Sequence, residues 1–116
     1  MREIHGKPLA WRESCATVEN PPGIFRTTMA WNQHLMLCHF RMTKDAKVPL
    51  HDHPAAQNGY VIGGKVRFLD EEGEAFLAVP GTGYCFGPGE RHGAEVLEDS
   101  EVIECFAPMR PEYAEG

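Results

Sequence analysis

Several things are missing from these 116 residues, and each absence removes a class of protein. No run approaches the ~20 consecutive apolar residues a helix needs to cross a bilayer, and the opening MREIHGKPLAWRES lacks the apolar core of a secretory leader. A soluble, cytoplasmic protein is the expectation. There is no basic block: 17 acidic residues outweigh 11 basic ones, for a formal charge of -6, which argues against nucleic acid or a membrane as partner and favours a small solute. No Cys-x-x-Cys pair occurs. Cys15, Cys38, Cys85 and Cys105 are scattered, as small apolar residues in a reducing compartment rather than as a disulfide frame. Nor does any segment combine a helical apolar period with capping residues, so no substantial amphipathic helix is predicted.

What is present is a series of short β-favouring runs punctuated by Gly, Pro, Asn and Asp. The runs are residues 24–29 and 34–42, with Trp31-Asn32-Gln33 as a turn, then 60–62 and 65–69, flanking Gly63-Gly64 as a hairpin. Residues 75–79, 84–86, 92–97 and 101–106 follow, with turns at 70–74, 80–83, 87–89 and 98–100, the first an acidic, solvated loop. About eight short strands at this spacing predict an all-β sandwich or barrel, and the length suits one domain with its own core. Residues 1–22 end in the chain-breaking Asn20-Pro21-Pro22-Gly23 and read as an arm anchored by Trp11; residues 23–116 read as the barrel. In the second run Met36, Cys38 and Phe40 face one way and Leu35, Leu37 and His39 the other. Both faces are largely apolar, which predicts cover on both sides and hence a homodimer.

The chemistry concentrates in residues 49–64, PLHDHPAAQNGYVIGG. In an extended strand His51 and His53 share a face, about 6–7 Å apart at the root, and Gln57 keeps the same parity. The Gly87-Pro88-Gly89 turn delivers His92 at the start of another strand. Three imidazoles and an amide oxygen make a ligand set for one divalent ion, whereas His5, His34 and His39 have no such company. Because all four donors are neutral, the ion keeps its full charge and acts as a Lewis acid able to polarise a carbonyl or enol oxygen; zinc, nickel, iron and manganese all suit the set. Alternation places Val102, Glu104 and Phe106 on one face. If that face is interior, Glu104 points toward the ion as a proton carrier, and Arg110, just beyond, can grip a substrate carboxylate in bidentate fashion. An outward glutamate in a salt bridge and a surface arginine are the competing assignments.

These motifs resemble the cupin family, small jelly-roll barrels (double-stranded β-helices). The first cupin motif maps onto Asp45, His51, His53, Gln57 and Gly64, with aspartate in place of the first glycine and Gln57 in place of glutamate. The second maps onto Gly81, Gly87, Gly89 and His92, with Gly87 at the usual proline position and Val96 where asparagine is usual. From about residue 23 to 113 the chain is similar to the KdgF group of pectin-degradation cupins, in Leu35-Met36-Leu37, in Pro49-Leu50-His51, in a glutamine fourth ligand and in the ending Glu104-Cys105-Phe106-Ala107-Pro108-Met109-Arg110. That resemblance implies a metal-dependent enzyme that linearises a 4,5-unsaturated uronate to its keto form. It further implies Glu104 and Arg110 as catalytic groups, Phe106, Arg110, Gly59 and Met36 against the substrate, and His51, His53, Gln57 and His92 on the metal. Glutamate where the group has aspartate adds a methylene at the reacting end. Two other functions fit a cupin: an iron-dependent dioxygenase, and a noncatalytic module that binds or senses a small acid. A cupin lyase with tyrosine two residues past the fourth ligand is disfavoured, since that position is Gly59.

Overall fold

The computed structural model describes residues 6–114. Eight strands run in order: β1 (Thr17–Glu19), β2 (Ile24–Trp31), β3 (Met36–Met42), β4 (Lys47–His51), β5 (Ala56–Asp70), β6 (Gly73–Ala78), β7 (Gly83–Phe86) and β8 (His92–Ala107), followed by the single helical turn α1 (Pro111–Ala114). Every pairing between them is antiparallel.

The two long strands generate the barrel. The later half of β8 lies between β3 and the first half of β5, which also pairs with β7. The early half of β8 lies between β4 and the second half of β5, which also pairs with β6. Both strands therefore pass from one sheet into the other, and the result is the expected jelly roll.

An expected hairpin and an expected turn are corrected here. Gly63-Gly64 does not reverse the chain, and 98–100 is not a turn between strands; each lies within one long strand, at the corner where it changes sheet. The pairing of β5 with β8 shifts register around Gly63 and Lys65. Gly64 has φ +91°, and a Cβ there would lie 2.2 Å from Ser100 Oγ, so the corner needs a glycine. Buried Ser100 ties it, its hydroxyl accepting from Lys65 N at 3.0 Å and donating to Glu98 O at 2.6 Å. Sequence patterning reads a double glycine between apolar runs as a reversal, because a bulge and a turn require the same backbone freedom.

Met36, Cys38, Phe40 and Met42 from β3, Val61, Val66 and Phe68 from β5, and Val96, Val102 and Phe106 from β8 fill the interior. Cover on both faces of β3 is not what a single chain provides: Leu35 and Leu37 remain 48% and 38% exposed on the outside, although His39 is buried. Trp11 is 62% exposed and anchors nothing; the arm is held instead by Lys7, which exchanges backbone hydrogen bonds with Trp31, and by β1 against β2. His5 lies outside the described residues. All four cysteines are free, and burial raises the Cys38 thiol to about 11. Among the described residues no helix is long and apolar enough to cross a membrane.

Candidate metal centre

His51 closes β4 and is paired across to His92, the first residue of β8, while His53 lies in the following loop. The shared strand face expected for His51 and His53 is thus not how they meet; a register pair and a loop bring the histidines together. Their ligating nitrogens lie within 4.8 Å of one another. In each ring Nδ1 faces a backbone carbonyl: Pro49 O at 2.9 Å for His51, Ala55 O at 2.7 Å for His53, Glu90 O at 2.8 Å for His92. A carbonyl can only accept, so each Nδ1 carries the proton and each Nε2 presents a bare lone pair.

Gln57, on β5, completes the set. Its Nε2 donates to Glu104 Oε2 at 3.1 Å, which fixes the amide so that Oε1 faces the histidines, 2.8 Å from His53 Nε2 and 3.2 Å from His92 Nε2. Two lone-pair nitrogens and a carbonyl oxygen converge with no proton to share. Such a convergence repels itself unless a cation lies within it, and that is the physical fit of this cluster to a divalent metal. Burial lowers the pKa of both His53 and His92, keeping them in the neutral, ligating form. His92 is further fixed by stacking on Phe86, with ring centroids 4.3 Å apart and planes 6° from parallel. The tight turn that carries Asp45 is also confirmed: this aspartate has φ 75° where the cupin motif has glycine.

Glu104 sits beside the cluster on the inward face of β8, as alternation predicts, with Val102 and Phe106 also buried. Burial pushes its carboxyl up to about 7, against the opposing pull of hydrogen bonds from Tyr84 and Gln57 and of the Arg110 charge. An interior cavity of about 80 Å³ is lined by His51, Gln57, His92, Glu104, Phe106 and Arg110, and reaches Asn20, Pro21 and Tyr113 at its periphery. Arg110 stacks over Tyr113, its guanidinium carbon 4.1 Å from the ring centroid, and donates to Glu112 at 2.9 Å. Its side chain is only 13% exposed, so it is not a free surface arginine.

Three of the nine expected site residues do not line the cavity; His53 is one, and it still belongs to the cluster through its contact with Gln57. Met36 is fully buried in the core beside its register partner Phe106, and does not line the cavity. Gly59 does not line it either; it sits in the sheet between Tyr84 and Glu104, its register partners on either side. Conversely, Tyr84 was not anticipated. Its hydroxyl donates to Glu104 Oε2 at 2.6 Å, a contact spanning three strands that no local pattern in the sequence could mark.

Comparison with known proteins agrees with this fold. A family model described as the AraC-like ligand binding domain matches residues 34–114. No curated protein sequence matches the chain. Among solved structures, an RmlC-like cupin from Shewanella frigidimarina superposes with a TM-score of 0.84 at 21% identity, covering 97% of this chain and 99% of that one. KdgF from Halomonas sp. superposes with a TM-score of 0.81 at 28% identity, over 90% of this chain and 96% of that one. The polyketide cyclase RemF from Streptomyces resistomycificus gives 0.72 at 19% identity, over 96% and 82%.

Proposed function

This chain belongs to the AraC-like ligand binding domain family, a cupin-type jelly roll, and from that premise we propose that it is a metal-dependent enzyme opening a 4,5-unsaturated uronate to its linear keto form. The observation that carries the reading is one small cavity lined by a buried carboxylate, an arginine and His51, His92 and Gln57 of the convergent cluster that His53 completes. The resemblance to KdgF, 28% identical over 90% of the chain, supplies the substrate class.

His51, His53, His92 and Gln57 would hold the ion, whose contribution when bound is Lewis acidity toward a substrate oxygen. Glu104, poised near neutrality by burial, takes and returns the proton that ring opening requires. Arg110 pairs with the substrate carboxylate; its present partner Glu112 is an exposed side chain, and such a pair is weak enough to exchange. Phe106 and Tyr113 keep water from the reacting end. The cavity, about 80 Å³, is smaller than the ~300–1,000 Å³ of pockets for drug-sized ligands, so a sugar needs it to widen. Exposed Leu35, Leu37, Tyr60 and Ile62 support extending the proposal to a homodimer, for which elution at twice the monomer mass is the check.

The test is the decay of ultraviolet absorbance from the conjugated double bond of an unsaturated uronate monomer. Acceleration by metal-loaded protein, lost with chelator and in His51→Ala, is the expected result. The family's own description favours a second reading, a module that binds a small acid without turning it over. Tight binding of the uronate with no acceleration over spontaneous decay would select it. Oxygen consumption with iron alone would select a dioxygenase.

A further inference from the structure

Tyr84, Gly59 and Glu104 stand side by side on β7, β5 and β8, as consecutive register partners. Gly59 carries no side chain on the face that Glu104 shares. A Cβ built there would lie 2.4 Å from both Cζ and the hydroxyl of Tyr84, so the phenol occupies the volume that any other residue at position 59 would fill. The ring lies flat across the glycine and reaches the next strand, where its hydroxyl meets Glu104 Oε2 at 2.6 Å. Tyr84 is buried among Phe68, Phe76 and Phe86, with centroids 4.5, 6.2 and 6.0 Å away, packing that restrains the ring.

The same oxygen, Oε2, also accepts from Gln57 Nε2 at 3.1 Å. Both donors therefore hold one oxygen of the carboxylate, and Oε1 has no protein partner among the described residues although Glu104 lines the cavity. We propose that Tyr84, admitted by Gly59, is a positioning residue that pins Glu104 by Oε2 and so makes Oε1 the oxygen presented to the substrate. This rests on the uronate-opening reading for its kinetic consequence, but not for its geometry. A short O–H···O bond to a carboxylate is directional, and a carboxylate held by two donors on one oxygen loses its freedom to rotate.

The experiment compares wild type with Tyr84→Phe and Gly59→Ala, each loaded with Zn²⁺. Tyr84→Phe keeps the ring in its aromatic cluster and removes only the donor; Gly59→Ala keeps the donor and drives it away. Crystal structures read the geometry without any turnover: Glu104 is expected in one orientation in wild type and in two or more in both variants, with zinc content unchanged. On the unsaturated uronate, kcat is expected to fall at least tenfold in both variants with KM within twofold, a split that general loosening of the fold would not give. Glu104 holding one unchanged orientation in Tyr84→Phe overturns the proposal, as does unchanged kcat in that variant. If wild type does not act on the uronate, the functional reading fails, and the crystallographic comparison still decides the role of Tyr84.

Discussion

Two glutamates on β8, three residues apart, show how far burial outweighs identity. Glu101 faces outward, its side chain 41% exposed and its carboxylate 2.6 Å from His39 Nε2; that hydrogen bond holds its pKa below the ordinary value. Glu104 faces inward at 8% exposure, within reach of a histidine cluster through Gln57, and its pKa is raised to about 7. Each lies near histidine. Outside, the ring directly meets a carboxylate in a short hydrogen bond. Inside, two of the three clustered rings, His53 and His92, turn their lone pairs toward an amide oxygen, and the carboxylate is held one residue further back. The difference lies in which partner each imidazole finds on its Nδ1 and on its Nε2.

Histidine substitutions break the comparison most severely. His92→Ala should weaken zinc binding by more than the roughly 10–100-fold that changes behind a metal ligand cost, whereas His39→Ala should leave it intact, as read by titration against a competing chelator. Equal losses in both would remove the inner cluster's special status. Next come the glutamates themselves: Glu104→Gln should cut uronate turnover by about 100-fold or more while retaining zinc, and Glu101→Gln should leave the rate near wild type. A Glu104→Gln protein at full rate would exclude that carboxylate from the chemistry.

A smaller effect sharpens the electrostatics. Below pH 4.5 the Glu104 carboxyl is neutral in both folded and unfolded chains and imposes no penalty. As pH rises toward 7 the unfolded chain ionises first, so stability falls, by about 3 kcal/mol at most once pH exceeds the folded value. Metal-free Glu104→Gln should therefore resist urea better than wild type at pH 8 and no better at pH 4. The reverse order at pH 8 would mean the buried carboxylate is better solvated than its surroundings imply. Glu101, with its lowered pKa, contributes in the opposite sense: its stabilisation is present at neutral pH and is lost as pH falls. Half-exposed and screened, it is worth less than about 1 kcal/mol, so Glu101→Gln should shift the urea midpoint only slightly at pH 7, and less still as pH falls through the folded pKa.

Much of the site was legible because its ligands are close in sequence or follow a marked turn. His51, His53 and Gln57 lie within seven residues, His92 follows Gly87-Pro88-Gly89, and alternation alone turns Glu104 and Phe106 inward. Gly59 and Met36 lie off the cavity, and the contact of Tyr84 with Glu104 is not visible in the sequence, for one reason: a position along a strand says which face a side chain takes, not which residue of the adjacent strand it meets. Gly63-Gly64 was read as a hairpin because local sequence cannot distinguish a reversal from a bend at a sheet corner.

The sequence by itself determined the all-β class and which side chains of a strand share a face, because these follow from side-chain chemistry and a two-residue period. Only the tertiary structure decided that β5 and β8 run unbroken through both sheets, that each imidazole spends its Nδ1 on a backbone carbonyl, and that Tyr84 crosses Gly59 to hold Glu104. Those outcomes depend on register and burial, which arise from contacts between residues far apart in the chain.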